Sequence, residues 1–385
     1  MISNNHISLN SINGIRISRF LFCLMSVFSF AVILRNPDVA IKYMTDGLSL
    51  CANTVIPSLF PFMAISELLV ASGIGKLIGK VFAVPMRFLF GISGAASCAF
   101  ILGVFCGFPV GAKTAVSLYD RGEVSRSEFE RVLTFSNIPG SAFLSSTVGV
   151  SLFADKSIGN AMFASVFISV LIIGFFGKFI YKHGKNAAEP FIDTSSTTSQ
   201  ERRFEIKDFT NSISHAAQSM LTVCAFVVFF SAFVGVFENL LASLSLPDTS
   251  KALAFGLFEI TAGVSRAAAL ADRQTALLLC AFICGWSGLS VHFQIMSVCT
   301  DKNRGISFVP YFLSKLIQGF LCTAIIYIYI RFIDPSILLS APTVDANASF
   351  SPPVSYIVAV NVIFLLTLLA ICASGIKNKR QKTAA

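Results

Sequence analysis

An apolar stretch that begins near Ser93 is interrupted by Cys106-Gly107-Phe108-Pro109-Val110-Gly111-Ala112-Lys113. Proline removes a backbone donor and clashes with the preceding helical turn, and glycine loosens the helix further. Within a bilayer, the freed N–H and C=O groups have no water to turn to. Such a break survives only inside protein or beside a wet cavity. Discontinuous helices near the midplane are where secondary transporters hold their substrates. A second interruption, Cys284-Gly285-Trp286-Ser287-Gly288-Leu289-Ser290-Val291-His292, occupies the matching place in the other half of the chain. A third, Asn137-Ile138-Pro139-Gly140, divides the run Val132–Phe153.

Composition supplies the membrane. Of 385 residues, 55% are hydrophobic and 13% charged, against about 25% charged in a soluble domain. Several apolar runs exceed the roughly 18 residues of a membrane span. The chain therefore reads as an all-α polytopic membrane protein with roughly 8–10 hydrophobic segments and discontinuous or re-entrant helices. The net charge of +9 sits in short loops and tails beside apolar runs. That is the positive-inside pattern of a membrane protein, not a nucleic-acid surface. Most of the ten cysteines lie inside apolar runs, where Cys packs as a small hydrophobe. Cys280 and Cys284 share a helix face, but no further ligand completes a metal set. Without a nucleophile–base set, an Asp dyad, a His-Glu-x-x-His run or a phosphate loop, the sequence does not read as an enzyme. It implies no cofactor beyond a coupling ion, H⁺ or Na⁺.

Charge divides the chain. Residues 1–45 hold a cytoplasmic segment with Arg16 and Arg19 and a first span, Phe20–Leu34. Residues 46–181 form a first repeat, with spans at Gly47–Ala71 and Ile158–Tyr181 and an interfacial amphipathic stretch ending near Phe90. Residues 182–208 are a basic, Ser/Thr-rich cytoplasmic linker. Residues 209–333 form a second repeat, with apolar segments Ile213–Leu244, Ala252–Leu270, Thr275–Cys299 and Phe308–Phe332, the last containing Lys315. Residues 334–385 comprise an external loop free of Lys and Arg, a last span Val354–Ile376 and a basic tail.

The halves overlay at an offset of roughly 165–180 residues. Ala52-Asn53-Thr54 meets Ala217-Gln218-Ser219, Cys106-Gly107-Phe108 meets Cys284-Gly285-Trp286, and Phe129–Gly140 meets Phe308–Gly319. Charge places Asp46 outside and Lys182 inside, then Lys207 inside and Asp334 outside, which is the arrangement of inverted-topology repeats. The count of crossings suggests that Ser93–Leu118 enters and returns as a hairpin; its partner should then do the same, which leaves the basic tail on the side opposite to the one its charge assigns.

Charged groups in apolar segments are costly and functional by default. A helix that starts after the first break offers free N–H groups to an anion, and Lys113 would add a full charge for a carboxylate. His292 and Gln294 hold the matching zone after the second break, where His292 would bond a carboxylate or relay a proton. Glu67 and Glu259 are candidate ion-coupling groups, with Arg87 or Arg266 as alternative structural partners for Glu259. Asn53 and Gln218 either contact substrate or lock helices together. Gly107, Pro109, Gly111, Asn137, Ser141, Thr261, Ser287 and Ser290 complete the substrate-binding set expected at the breaks.

The run Asn53-Thr54-Val55-Ile56-Pro57-Ser58-Leu59-Phe60-Pro61-Phe62, the break Gly107–Lys113, Thr147-Val148-Gly149-Val150, Phe258–Gly263 and Gly288–Gln294 together resemble the sporulation integral membrane protein YlbJ family. That resemblance covers roughly residues 45–330. It implies two nucleoside-recognition gate domains related to concentrative nucleoside transporters. It also implies a role in endospore formation, with dipicolinate moved across the mother-cell-derived outer forespore membrane. Asn137-Ile138-Pro139-Gly140 departs from the Asn-Ser-Pro-like run expected there. The expected function is a multi-pass secondary transporter for a small organic anion, within the lipid bilayer and open to homo-oligomer formation. The alternatives are a nucleoside carrier and a membrane scaffold that recruits a spore-envelope partner through the linker.

Overall fold

In apolar surroundings a chain must satisfy its backbone internally, so apolar runs fold as helices. Our computed structural model describes residues 33–72, 74–182, 206–242, 246–299 and 307–338, with 27, 30 and 31. The described residues contain no strand. Most of the linker and of the first span, the last span and the basic tail lie outside them.

Among the described residues, four helices are long and apolar enough to cross a membrane: Lys156–Ile180, Ile206–Glu238, Arg273–Cys299 and Val309–Ile333. A fifth crossing is possible where Gly79–Leu89 and Gly94–Cys106 meet at a bend of 91°. In chain order the first half holds α1 (Pro37–Leu50), α2 (Ile56–Ala71), α3 (Ile74–Leu89), α4 (Gly94–Cys106), α5 (Val110–Asp120), α6 (Arg126–Ser136) and α7 (Lys156–Lys182). π-Helical segments Cys51–Val55 and Phe143–Leu152 precede α2 and α7. The second half holds α8 (Ile206–Ala242), α9 (Asp248–Phe258), α10 (Ile260–Ala268), α11 (Arg273–Trp286), α12 (Gly288–Cys299) and α13 (Val309–Ile328).

Helix starts follow local chemistry. Ser93, Ser125 and Asp272 cap α4, α6 and α11 by accepting from the N–H of Ala96, Glu128 and Thr275. Each cap satisfies a donor that would otherwise be orphaned. Ahead of α7, Asp155 accepts from the Ser157 hydroxyl and N–H at 2.6 and 2.8 Å, which holds its carboxyl below the usual range.

Apolar side chains gain little by leaving lipid for protein, so close approach of small residues carries much of the packing. Gly103 of α4 and Gly111 of α5 lie against each other and against the Ser136 carbonyl. The chain thus folds back at Gly107–Pro109 into a helical hairpin. Gly256 of α9 and Gly263 of α10 approach in the same way, making a second hairpin with Glu259 at its tip. The apolar segment Ala252–Leu270 is therefore this hairpin. The segment Thr275–Cys299 behaves differently: α11 and α12 run on as one interrupted span. The expectation that the second break also returns is corrected here. The hairpin of the second half lies one segment earlier, because its close-packed glycines flank Glu259 and not Ser287.

Two contacts recur at corresponding places. Gly107 packs on Gly140, and Gly285 packs on Gln318 and Gly319. Helix α13 lies along α6, where the Ser314 hydroxyl donates to the Thr134 carbonyl at 3.0 Å. Phe90, Phe100 and Phe135 form a trio with centroids 5.2–5.5 Å apart, each pair worth about 0.5–1.5 kcal/mol beyond its burial. The trio fixes the bend between α3 and α4 against α6.

Candidate functional site: a cavity where the breaks meet

The broken backbones satisfy one another. Gly107, at φ +79°, ends α4 in a conformation other residues rarely adopt. The Phe108–Pro109 peptide is cis. The Phe108 N–H donates to the Ile138 carbonyl at 2.9 Å, so the first break is closed by the third. On the other side Gly288, at φ +80°, lies against the backbone of Glu259 and Ile260. Ser287 precedes it with φ +76° and no exposed surface. A serine in the left-handed region is strained, and such strain gathers where structure is over-determined.

Between these breaks lies a cavity of about 120 Å³. Cys106 and Phe108 reach it from the first break, Gly140 from the third, Glu259 and Ile260 from the second hairpin, and Val291 and Gln294 from α12. Its walls are largely aromatic and aliphatic, with Phe62, Phe105 and Phe143 prominent. Glu259 is the one charged residue among those lining it, joined by Thr147, Thr261 and Gln294. Apolar walls with a few placed polar groups are the usual makeup of a small-ligand site.

Glu259 is buried and caps α10. Its carboxylate accepts from the N–H of Thr261 at 3.1 Å and of Ala262 at 2.7 Å. The helix start that could have received a ligand anion is thus filled by the protein's own carboxylate. The alternative pairing of Glu259 with Arg266 or Arg87 is not what holds its carboxylate. Arg266 bonds Glu238 at 2.9 Å instead, and Tyr43 donates to the same Glu238 oxygen.

The other expected residues separate into three groups. Glu259, Thr261 and Gln294 line the cavity. Gly107, Pro109, Gly111, Asn137, Ser287, Ser290 and His292 are buried beside it as parts of the breaks, with Ser141 partly buried at the start of the helix after Gly140. Ser290 accepts from Gln294 Nε2 at 3.4 Å. Asn137 Nδ2 donates to the Leu133 carbonyl at 3.1 Å. His292 faces away from the cavity, with Nδ1 3.0 Å from the Tyr311 hydroxyl and its ring edge-on to Trp286 at 4.4 Å.

Asn53, Gln218, Lys113 and Glu67 lie elsewhere. Asn53 and Gln218 are exposed, and Asn53 bonds Ser49 on its own helix at 3.1 Å. Lys113 forms an ion pair with Glu67 at 2.9 Å and donates to the His215 carbonyl at 2.8 Å and to the Ser219 hydroxyl. This cation is matched within the protein, and the pair ties α5 to α2 and α8. Sequence reading placed Lys113 by its distance from the break, but the helical turn carries it past the cavity. Removing one partner leaves the other charge in poor surroundings. Lys113→Met and Glu67→Gln should each lower the melting temperature in detergent more than the double variant does. A double variant as unstable as the sum of the singles would show the pair to be idle.

The residues not foreseen as site residues are Phe105 and Phe143, which nothing in their local sequence distinguishes, Phe62, Phe108 and Thr147, which lie in the motif runs, and the Lys315–Gln318 pair. A lysine inside an apolar span was the available signal for that pair.

An all-α, multi-pass membrane protein with interrupted and re-entrant helices around an internal cavity is the class that these features define. Along most of its length the chain is similar to the sporulation integral membrane protein YlbJ of Bacillus subtilis (strain 168), at 28% identity with 81% of each chain covered. The resemblance to the YlbJ family read from the motifs is therefore supported across most of the chain. No family model and no solved structure matches it.

Proposed function

We propose that this protein is a secondary carrier for a small organic anion and that Glu259 makes the transport proton-coupled. The convergence of interrupted helices on one cavity carries the reading. Freed backbone groups and short polar side chains offer ligand contacts that can be made and broken, as alternating access requires. An anion entering the cavity would meet the Glu259 carboxylate, and two like charges at close range cannot both persist. Entry of an anion therefore accompanies a proton on Glu259, and its departure releases both. The paired contacts Gly107–Gly140 and Gly285–Gly319 support two repeats that rock against each other.

The substrate we favour is dipicolinate, a planar pyridine dicarboxylate. Its ring suits the walls of Phe62, Phe108 and Phe143, and the YlbJ resemblance points to endospore formation. The membrane we assign is the outer forespore membrane. A nucleoside is the second reading, favoured by a lining that pairs a carboxylate with an amide and holds no Lys or Arg. The scaffold alternative rests on the linker, most of which lies outside the described residues.

Reconstituted vesicles loaded against labelled dipicolinate test the choice. Uptake is expected to rise as the outer pH falls and to be indifferent to excess nucleoside. Lys113→Ala, whose cation lies off the cavity, is expected to retain most of the flux. Uptake that is blocked by nucleoside, or that is the same at all pH values, would overturn the anion reading.

A further inference from the structure

Behind the wall formed by α12 and the Asn137–Gly140 break lies a group of polar side chains that the cavity does not use. Lys315, in the second turn of α13, has no exposed surface. Its ammonium donates to the Asn137 carbonyl and to Gln318 Oε1, the latter at 2.7 Å. Among the described residues no carboxylate lies within ion-pairing distance of it. Two neutral acceptors leave the charge uncancelled and the third proton unassigned.

Other polar atoms nearby are also open. Gln318 Nε2, His292 Nε2 and Asn137 Oδ1 have no partner, and all three residues are fully buried. His292 reaches the group through Tyr311, one helical turn from Lys315 on the same face of α13. When the Tyr311 hydroxyl donates to Nδ1, Nε2 carries the proton and becomes a donor. Buried polar groups in folded proteins nearly always have partners. Here an unmatched cation is accompanied by two open donors, and by one acceptor suited to a water of hydration.

We propose that Lys315, Gln318 and His292 form a second, buried site for a small monovalent anion, either a halide or the carboxylate of a short organic acid. The ammonium supplies the charge, and the Gln318 amide and the His292 ring N–H supply directed hydrogen bonds. The site stands apart from the cavity and does not require that the cavity carry cargo. Its link to the cavity is the break itself: Asn137 touches Lys315 and Gly140 lines the cavity. An occupant at Lys315 would thus set the position of that wall.

The chain contains a single tryptophan, and Trp286 lies against His292, so its emission reports on this site. The full-length protein in detergent is titrated with potassium bromide and, separately, with potassium acetate, at ionic strength held constant with potassium sulfate. The expected result is a saturable change in Trp286 emission together with a saturable upward shift of the melting temperature. A response to bromide alone identifies a halide site, and a response to acetate a carboxylate site. Lys315→Met should lose both responses. Gln318→Glu supplies an internal counter-charge at the same volume. It should melt higher than wild type without added anion and should no longer respond to anion, which keeps the test decisive if Lys315→Met fails to fold. A wild type that responds to neither salt, or a Gln318→Glu variant that responds as wild type does, would overturn the site. Flux is not read, so failure here leaves the carrier reading to its own assay.

Discussion

Glu259→Gln is expected to uncouple uptake from the proton gradient and to lower gradient-driven flux by about 100-fold, the equivalent of roughly 3 kcal/mol. The substitution is chosen to separate chemistry from folding. Glutamine keeps one side-chain oxygen that can accept the shorter cap bond, from the N–H of Ala262, so α10 retains a cap and its hairpin. What it loses is the exchangeable proton. The pH dependence of residual uptake should flatten while the melting temperature stays near that of wild type. Glu259→Ala loses both cap bonds as well, costing roughly 1–2 kcal/mol of stability, so it reports on both roles at once. Proton-driven uptake by Glu259→Gln with the wild-type pH profile would remove Glu259 from the coupling step.

Gly103→Ala should be the most damaging single methyl in the first half. A Cβ there would collide with the Ser136 carbonyl, and the neighbouring Gly111 backbone prevents the hairpin from shifting sideways. The obstacle is main chain, which cannot turn to another rotamer, so relief requires α4 and α5 to move off the Asn137–Gly140 break. A cost of about 3 kcal/mol is expected, at the upper end of overpacking penalties. The measurement is the melting temperature in detergent, with Gly177→Ala as control. Gly177 has nothing within 4 Å of an added Cβ, so its alanine variant should match or slightly exceed wild type. Equal melting temperatures for the two variants would mean that the hairpin does not pack as described.

Both expectations bear on what could be read ahead of the structure. The breaks at Gly107–Pro109, Asn137–Gly140 and Ser287–Gly288 were legible because proline and glycine act locally on the backbone. The membrane class was legible because the length of an apolar run is a sum over neighbouring residues. Glu259 was legible as a charge out of place, and so, in principle, was Lys315. The partner of each charge was not legible. Lys113 seemed available to a ligand until the fold set Glu67 and Ser219 beside it. Asn53 and Gln218 looked like site residues by their place in the repeat, yet both face outward.

The amino-acid order alone determined that this chain crosses a bilayer as helices, that those helices break, and where. These are consequences of backbone chemistry within a few residues. Only the tertiary structure decided which breaks turn back and which run on, and which of them close around the cavity. A freed carbonyl or amide is indifferent to its partner's place in the chain. The choice of Ile138 for Phe108 is made by which backbones can come close enough, and that depends on glycine contacts between segments that the linear order keeps apart.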